Sequence, residues 1–473
     1  MNSGADPMFG WAFFISFSSL AYQRKAISEH KRFADVLKAV DVIKDKIEFR
    51  LTELINMAMK GVHIFLLLLL FTTALHAQND KVKTRTAAKI SFADHIPSSK
   101  IIEWRRHIHQ NPELSFKEVN TSQYVEDLLK TFGNIQVSRP TSTSVLGILK
   151  GAKEGKTVAF RADMDALPVQ EETELSFSSK VSNVSHACGH DAHTAMLLGT
   201  AATLSKMKNQ INGTVYFLFQ HAEEQPPGGA LEIIKSGVLA EVDAFFGMHV
   251  LPNFPAGHIG VLPVGPASTT WDGFHLTIKG KGSHGSMPHL GIDPIVVGAE
   301  IVTALQTVVS RNVQPGELAV ISIGKFQSGE APNVIADKAE LGATVRTTTE
   351  KTRKLVEERV KTLIDNITRA HGAQYELNYT PNYPAIENDA LLNALVKRSA
   401  QSILGEESVF DATMMTASED FSYYKQIGPE CFLTLGIGDG LANHNPKFNM
   451  DEKALTKGVK AQVQIIIDFL NGK

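Results

Sequence analysis

The chain has 473 residues, of which 43% are apolar and 21% are charged, and its formal net charge is −3. Its length exceeds what one modest hydrophobic core needs, so two domains are expected. The sequence contains no basic stripe of the kind that binds nucleic acid, and two cysteines are too few for a disulfide framework.

An apolar run near the N-terminus predicts a secretory signal peptide. It occupies residues 57–77, with Lys60 near its start, five consecutive leucines at 66–70, and Ala77 before a polar stretch. The run is shorter than the roughly 18–20 apolar residues of a membrane span, which favours a cleaved signal over an anchor. We therefore predict cleavage near Ala77 and a secreted or periplasmic mature chain without a stable membrane span.

Residues 1–56 precede this segment and leave two interpretations open. The start codon is assigned too early, with Met57 or Met59 as the true start, because signal peptides normally begin a chain. Alternatively the extension is genuine and consists of an apolar stretch at 9–20 followed by a charged helix at 31–54. Under both interpretations the segment lies outside the catalytic fold.

Helical and strand patterns alternate through the first part of the predicted catalytic domain. Helical spacing of apolar residues predicts helices at 101–109 and 121–132, and apolar runs predict buried strands at 157–160 and 213–219. An Ala-, Met- and Leu-rich helix is predicted at 194–204. Buried strands separated by helices are typical of an α/β fold with a mostly parallel sheet flanked by helices.

The pattern changes between residues 268 and 380. The predicted order is β-α-β-β-α-β, with strands at 271–279, 318–326, 339–347 and 374–380 and helices at 294–309 and 350–370. This order is that of a ferredoxin-like unit. Because the α/β pattern resumes afterwards, we predict an inserted lid or dimerisation domain at 268–380, between catalytic segments 98–267 and 381–473.

Five short motifs carry side chains that bind catalytic metal ions. They are Cys188-Gly189-His190-Asp191-Ala192-His193, Glu223-Glu224, His249, His284 and His444-Asn445-Pro446. Thiolate, imidazole and carboxylate groups bind zinc-like or manganese-like ions, and widely separated ligands suit a catalytic site better than a zinc finger. In a carboxylate pair one glutamate can hold metal while its neighbour moves protons, which indicates hydrolysis.

The predicted strands favour one common site. A lone Cys-x-His motif is weak, since a buried cysteine is often only a packing residue. However, Glu223 and Glu224 follow a strand, His249 ends an apolar run, and His190 lies at a junction with a helix. Such ends of strands in open α/β sheets are where ligands bind.

At this point the sequence resembles a known family of dinuclear metallo-amidohydrolases. The family includes hippurate hydrolase, N-acyl-L-amino-acid amidohydrolase and auxin–amino-acid hydrolase, and is related to aminoacylase and glutamate carboxypeptidase. The resemblance runs from about Ile101 to the C-terminus. It is carried by Arg161-Ala162-Asp163-Met164-Asp165-Ala166-Leu167-Pro168, the Cys188 motif, Gln220-His221-Ala222-Glu223-Glu224, Gly247-Met248-His249 and His444-Asn445-Pro446.

The resemblance implies a role for each matching residue. The implied metal ligands are Cys188, His190, Glu224, His249 and His444. Glu223 is implied to be the general acid/base, and Asp165 to orient a ligand imidazole from outside the metal's first shell. His284 is implied to stabilise the oxyanion, with His289 as its rival. Asn333 and Arg346 are implied to bind the substrate, since a planar guanidinium holds a carboxylate with two hydrogen bonds.

Cofactors and assembly follow from the same resemblance. It implies two divalent metal ions, zinc or manganese, with cobalt or nickel also compatible with these ligands. In relatives the inserted domain mediates dimerisation and its histidine reaches a neighbouring subunit's site, so a homodimer is possible here.

Three further features of the sequence have structural interpretations. His221 stands where the commoner family pattern has proline, and we interpret it as an exposed loop histidine without a catalytic role. Ser418-Glu419-Asp420-Phe421 either supports the site or caps a helix. A Cys188–Cys431 disulfide is possible, but Cys431 is better explained as a buried small apolar residue.

The predicted function is hydrolysis of the amide bond of N-acyl amino acids by a metal-activated water, with Glu223 as base. The first alternative is a dipeptidase or carboxypeptidase on the same metal scaffold. A remote alternative is an inert metal- or ligand-binding protein, which the unligated Glu223 argues against. The small-molecule or short-peptide substrate leaves no role for nucleic acid.

Overall fold

The structure is a computed structural model. It describes residues 92–472 together with Lys44, Lys46 and Arg50. The predicted signal peptide and most of the upstream extension therefore lie outside the described residues. Residues Ser91–Lys473 form one compact unit.

The described α-helices follow the predicted pattern closely. In chain order they are α1 (Ser98–Gln110), α2 (Val119–Thr131), α3 (His190–Lys206), α4 (Ala230–Lys235), α5 (Pro294–Thr307), α6 (Glu350–Ala370), α7 (Ala390–Leu404) and α8 (Lys453–Leu470).

The described strands alternate with these helices. They are β1 (Ile135–Ser138), β2 (Val145–Lys150), β3 (Lys153–Asp163), β4 (Asn212–Gln220), β5 (Ala244–Leu251), β6 (Ile259–Val261), β7 (Gly265–Pro266), β8 (Asp272–Lys279), β9 (Ser283–His284), β10 (Ala319–Ser328), β11 (Val334–Ile335), β12 (Lys338–Thr347), β13 (Gln374–Pro381), β14 (Glu387–Asn388), β15 (Val409–Asp411) and β16 (Glu430–Gly436).

A large, mainly parallel sheet organises the fold, as the sequence predicts. Its strand order is β1-β2-β4-β3-β5-β16-β14-β7, and β6 joins β16 to β15. The central strands β4, β3, β5 and β16 all run parallel. Their carboxyl ends therefore meet at one edge of the sheet, which we call the carboxyl edge.

Helix α3 is buried on all sides, because its sequence is apolar or small around its whole circumference. It begins at His190, four residues before the predicted start at Thr194. Gly189 caps it with φ +89°, and a Cβ there would lie 2.3 Å from Val250 Cγ2. Because glycine has no side chain, the start of the helix, including His190, packs directly against β5.

A separate four-stranded antiparallel sheet has the order β10-β12-β8-β13. We call this sheet, together with helices α5 and α6, the second layer. With helices α5 and α6 it has the predicted β-α-β-β-α-β order. Its apolar core includes Ile278, Ile301 and Ile364 and is separate from the core beside the large sheet. That residues 268–380 act as an inserted lid or dimerisation domain stays a prediction.

The segment Pro294–Asn312, which contains α5, is long and apolar enough to cross a membrane by length and composition. In this fold one of its faces packs into the core of the second layer through Val297, Ile301 and Leu305. Its opposite face exposes Ile295 and Val296.

Candidate active site

The predicted ligands meet at the carboxyl edge. Asp163 ends β3, Glu223 and Glu224 follow β4, and His249 lies near the end of β5. His444 follows β16 and is held there because its backbone N–H donates to Ala187 O (2.8 Å), one residue before Cys188. Parallel strands thus bring together residues that are distant in the sequence.

Two short backbone distortions help to place this cluster. Ala222, directly before Glu223, has φ +52°, and His444 has φ +71°. Residues other than glycine rarely adopt this left-handed conformation, and it concentrates at functional sites.

The candidate ligands form two overlapping triads that share Cys188. One triad is Cys188, His190 and His249, and the other is Cys188, Glu224 and His444; the ligand atoms of each triad lie within 4.8 Å of one another. Cys188 Sγ is 3.4 Å from His249 Nε2, and His444 Nε2 is 3.2 Å from Glu224 Oε1. Two triads with a common thiol match the requirements of a two-ion centre.

Asp165 occupies the position expected of a residue that orients a ligand. His190 Nδ1 lies 2.9 Å from the backbone oxygen of Asp165 and 3.1 Å from its Oδ1. Ser115 and the Glu224 backbone N–H donate to the other carboxylate oxygen. Burial alone would raise the pKa of Asp165, but its hydrogen bonds to His190 and Ser115 hold the pKa below the usual value. The arrangement turns His190 Nε2 towards the cluster.

The donor set fits a divalent cation. His190 Nε2 is buried and has no hydrogen-bond partner among the described residues. Burial and the neighbouring Glu224 and Glu223 carboxylates hold the pKa of Cys188 well above its usual value. A buried imidazole nitrogen without a partner, close to a thiol and two carboxylates, is an arrangement that a bound cation would stabilise, because its charge favours the thiolate and the carboxylates.

Glu223 has the environment of a proton carrier. It is 7% exposed, and its Oε2 lies 4.0 Å from His190 Nε2. Burial, followed by the nearby Glu419 and Glu224 carboxylates, holds its pKa well above the usual value. Tyr383 Oη donates to the Glu223 backbone oxygen (2.8 Å) and fixes this turn of the chain. A carboxyl group so placed takes up a proton readily.

A buried network around Asp163 and His193 was missed in the sequence analysis. His193 Nδ1 lies 2.6 Å from Asp163 Oδ1, and the Val250 N–H donates to His193 Nε2 (2.9 Å), directly after His249. Arg161 also donates to Asp163 (2.6 Å). The position of His193 one helical turn after His190 was the available signal.

The segment 418–421 both supports the site and caps a helix. The Glu419 carboxylate accepts from Phe421 N (3.1 Å) at the start of a 3₁₀ helix, Asp420–Gln426. Arg161 Nη2 lies 3.0 Å from Glu419 Oε1 and 2.9 Å from Asp420 Oδ1. Arg161 therefore balances the negative charge behind Glu223, and the two interpretations of this motif are compatible.

A cavity of about 760 Å³ opens beside the cluster. Its lining includes Cys188, Glu223, Glu224, His249 and His444. Arg346, which the sequence analysis expects to bind substrate, also lines this cavity. The Arg346 guanidinium donates to Ser418 Oγ (2.8 Å) and lies over the Trp271 ring at 5.5 Å.

The other residues expected to contact substrate do not reach this cavity. His284 and Asn333 are exposed, and neither is among the described residues that line it. His284 lies on β9 and Asn333 directly precedes β11, which pairs with β9; the Gly285 N–H donates to Asn333 O (2.7 Å). His289, the rival of His284, is exposed in the next turn. The implied roles of His284, His289 and Asn333 therefore stay predictions, because the described lining of the cavity does not include them.

One expectation needs correction, and one is confirmed. His221 is 1% exposed, so it is not an exposed loop residue; it lies 3.1 Å from Glu232 and packs edge-on against Phe116. His221 is not among the described residues that line the cavity. Cys188 and Cys431 are both free and buried, so they form no disulfide, and Cys431 is an apolar core residue as preferred from the sequence.

Comparisons with known proteins agree with this geometry. Residues 159–468 match the model of peptidase family M20/M25/M40. The N-acyl-L-amino acid amidohydrolase of Geobacillus stearothermophilus is 48% identical over 288 residues, which are 61% of this chain and 78% of that protein. Thermostable carboxypeptidase 1 of Saccharolobus solfataricus is 39% identical, covering 78% of this chain and 95% of that protein.

A solved structure is also similar. It is the YXEP protein of Bacillus subtilis, described as a dinuclear metal-binding peptidase from the M20 family. The two chains are 36% identical, with a TM-score of 0.70, and the match covers 79% of this chain and 98% of that one.

Proposed function

The chain belongs to peptidase family M20/M25/M40, and from that premise we propose that it is a metal-dependent amidohydrolase of N-acyl amino acids. The observation that carries the proposal is the buried Glu223, which lies beside a cluster of candidate ligands and faces a cavity that contains Arg346. A binding protein needs ligands but no such proton carrier.

Cys188, His190, Glu224, His249 and His444 would hold two divalent ions, zinc or manganese, with cobalt or nickel also suited to these donors. Bound ions supply an activated water and polarise the substrate carbonyl. Cys188 belongs to both triads, so its thiolate would be one of the groups that hold the ions.

The protein's own groups then move the proton and orient the substrate. Glu223 takes a proton from the attacking water and delivers it to the leaving nitrogen. Arg346 binds the substrate carboxylate with its planar guanidinium, oriented by Ser418. The tetrahedral intermediate carries an oxyanion, which needs a fixed donor.

We assign the oxyanion donor to His284 of a second copy of the chain. His284 is exposed on its own subunit and is not among the described residues that line that subunit's cavity. The same layer exposes apolar residues suited to self-association: Ile295 and Val296 on α5, and Val320 and Phe326 on the edge strand β10. An edge strand has unpaired backbone groups that a second copy can cover. Asn333, beside His284, would enter with it.

The competing function is that of a carboxypeptidase or dipeptidase, favoured by the carboxypeptidase relative. A dipeptide carries a free ammonium group that needs an acidic partner. The acids among the described lining residues are Glu223, Glu224 and Glu419. One is the proposed base, one a proposed ligand, and Glu419 is paired with Arg161. This favours a neutral acyl group over an ammonium group.

We further propose that the enzyme is secreted or periplasmic, on the signal-like composition of residues 57–77. The first residue of the mature protein, identified by N-terminal sequencing, tests this assignment. A mature chain that starts near Gln78 supports it, and one that retains residues 57–77 contradicts it.

A substrate panel tests the reaction. Hydrolysis of N-acetyl and N-benzoyl amino acids and of dipeptides is measured with the full chain after chelation, and again after zinc or manganese is restored. We expect N-acyl amino acids to be cleaved only with metal. Turnover of dipeptides alone would replace the proposal with the peptidase alternative, and metal-independent turnover would refute the mechanism.

A further inference from the structure

Glu118 is a buried acid outside the metal cluster that the proposed mechanism does not use. It is 0% exposed and is the N-cap residue of α2, but its side chain forms no capping hydrogen bond with that helix. Its Oε1 instead accepts from the Ala222 N–H (2.7 Å) and from the Phe116 N–H (3.0 Å). Because a carboxyl group is costly to bury, its partners deserve an explanation. The side chain connects the start of α2 to the turn that carries Glu223.

Ala222 is the residue of that turn that most needs a fixed partner. It is fully buried and has φ +52°, in the left-handed region. Such a conformation is unfavourable for alanine and persists only where the surrounding structure holds it. Glu118 binds the Ala222 N–H, and Tyr383 donates to the oxygen of the following residue, Glu223 (2.8 Å). These two side chains therefore support the turn on either side of the Glu223 side chain.

The neighbouring candidate metal ligand has a support of its own. The Glu224 N–H donates to Asp165 Oδ2 (3.0 Å), which also accepts from Ser115 Oγ (2.6 Å). Loss of the contact between Glu118 and the turn would leave this hydrogen bond in place. A substitution at Glu118 should therefore disturb Glu223 more than Glu224.

We propose that Glu118 is a positioning residue for hydrolysis, which holds Ala222 in its left-handed conformation and thereby directs the Glu223 carboxyl group towards the metal cluster. The inference rests on the proposed function, in which Glu223 moves the proton. It requires an acceptor at the place of Glu118 Oε1, and glutamine supplies the same acceptor.

The contact does not depend on the charge of Glu118. Burial, followed by the nearby Asp165 carboxylate, raises the pKa of Glu118 to about 7. The ionised and the neutral forms are therefore both present near neutral pH. Oε1 accepts the two N–H groups in either form, because the proton of the neutral form can reside on Oε2.

The test compares Glu118→Met with Glu118→Gln in the metal-loaded full chain, by kcat, KM and bound metal per chain with an N-acyl amino acid. Methionine fills the same space but lacks a strong acceptor, so the buried Ala222 N–H loses its partner and the turn should relax. We expect kcat to fall by roughly 10–100-fold, since a displacement of about 1 Å can cost 10²-fold. KM and metal content should stay near the wild-type values, and Glu118→Gln should keep most of the wild-type kcat.

Two further variants separate this positioning role from support of α2. The Glu113 carboxylate accepts from the Asn120 and Thr121 N–H groups at the start of α2. Glu113→Ala should therefore lower the midpoint of urea unfolding and keep the wild-type kcat. Glycine adopts positive φ without strain, so Ala222→Gly added to Glu118→Met should raise kcat several-fold above that of Glu118→Met alone.

Crystal structures of Glu118→Met and Glu118→Gln report the conformation of Ala222 independently of activity. We expect φ of Ala222 to leave the left-handed region in the methionine variant and to remain there in the glutamine variant. Should Glu118→Met fail to fold, Glu118→Ala takes its place with the same expectations.

The outcomes separate this proposal from the one on which it rests. An unchanged Ala222 φ in the variant without an acceptor, or an equal loss of kcat in Glu118→Gln, would overturn the positioning role while amidohydrolysis stands. Failure of the wild type to hydrolyse any N-acyl amino acid would overturn the proposed function. The φ of Ala222, with kcat for dipeptides, would then decide the role of Glu118.

Discussion

Two regions that carry predicted site residues differ in how they are held. At the carboxyl edge His190 and Asp165 are buried and joined to each other and to their neighbours. Beside the pair β9–β11, His284 and Asn333 are exposed, and the His284 ring forms hydrogen bonds with Ser286 in its own turn. The first region is complete within one chain, and the second is available to another molecule.

The contrast separates two kinds of catalytic group. Groups that hold metal need fixed geometry, which parallel strands and buried partners provide. A group that stabilises the transition state from the second layer can enter on closure or from a second subunit. Substitutions in the fixed region and in the exposed region should therefore have different effects.

Glu223→Gln should abolish most turnover while metal content remains. Loss of a positioned proton carrier costs roughly 10²–10⁴-fold in kcat. The measurement is kcat together with bound metal per chain, and Glu241→Gln, an exposed acid before β5, is the control. Near-normal turnover in Glu223→Gln would remove this residue from the mechanism.

His284→Ala should lower kcat by roughly 10²–10³-fold, as loss of an oxyanion donor does. Its folding should be unaffected because the residue is exposed. The matched control is His289→Ala, in the neighbouring turn, and it should keep most activity.

A mixing experiment sharpens the comparison between the two regions. If His284 serves the neighbouring subunit, equal amounts of His284→Ala and Glu223→Gln chains, dissociated and reassembled, form mixed dimers with one intact site each. Activity should then return to about a quarter of the wild-type value, because half of the dimers are mixed. Absence of any recovery, with mixed dimers present, would show that His284 does not act across subunits.

His193→Ala should weaken metal binding without removing a predicted ligand. The imidazole links Asp163 to the Val250 N–H next to His249, and loss of such an outer partner typically costs about 10–100-fold in metal affinity. Competition with a chelator of known affinity measures the change. Wild-type affinity in a folded His193→Ala protein would show that this network only packs the core.

The smallest expected effect is a change of folding stability with pH. It depends on the buried His109, which contacts Asp191 of α3. Burial lowers the pKa of His109, but the Asp191 and Glu171 carboxylates outweigh it and raise the pKa to about 8. Because the folded pKa lies above the ordinary 6.5, this histidine stabilises the fold below about pH 6.5. The contribution, about 2 kcal/mol, disappears as the pH rises through 8.

Urea unfolding at pH 6 and pH 9 checks this sign. The wild type should lose more stability between the two pH values than His109→Gln does, whereas the exposed control His275→Gln should follow the wild type. An equal loss in His109→Gln would contradict the assigned coupling.

The sequence predicted the sheet and the ligand cluster for a physical reason. Buried parallel strands are apolar along their length, so residues such as Glu223 and His249 stand out where those strands end. Asp163 and His193 escaped notice because each could also be an ordinary capping or core polar residue. His221 was misjudged because its burial depends on Phe116 and Glu232, whose contacts no local pattern reveals. Nor can spacing show whether His284 serves its own subunit.

A metal titration tests most directly whether the carboxyl edge holds a metal centre on which hydrolysis depends. Chelated full-length protein is titrated with zinc or manganese while bound ions and N-acyl amino-acid hydrolysis are measured together, in the wild type, Cys188→Ser and Cys431→Ser. We expect activity to rise with about two bound ions per chain in the wild type and in Cys431→Ser, and Cys188→Ser to bind metal more weakly. Full activity without bound metal, or unchanged metal binding in Cys188→Ser, would contradict the account.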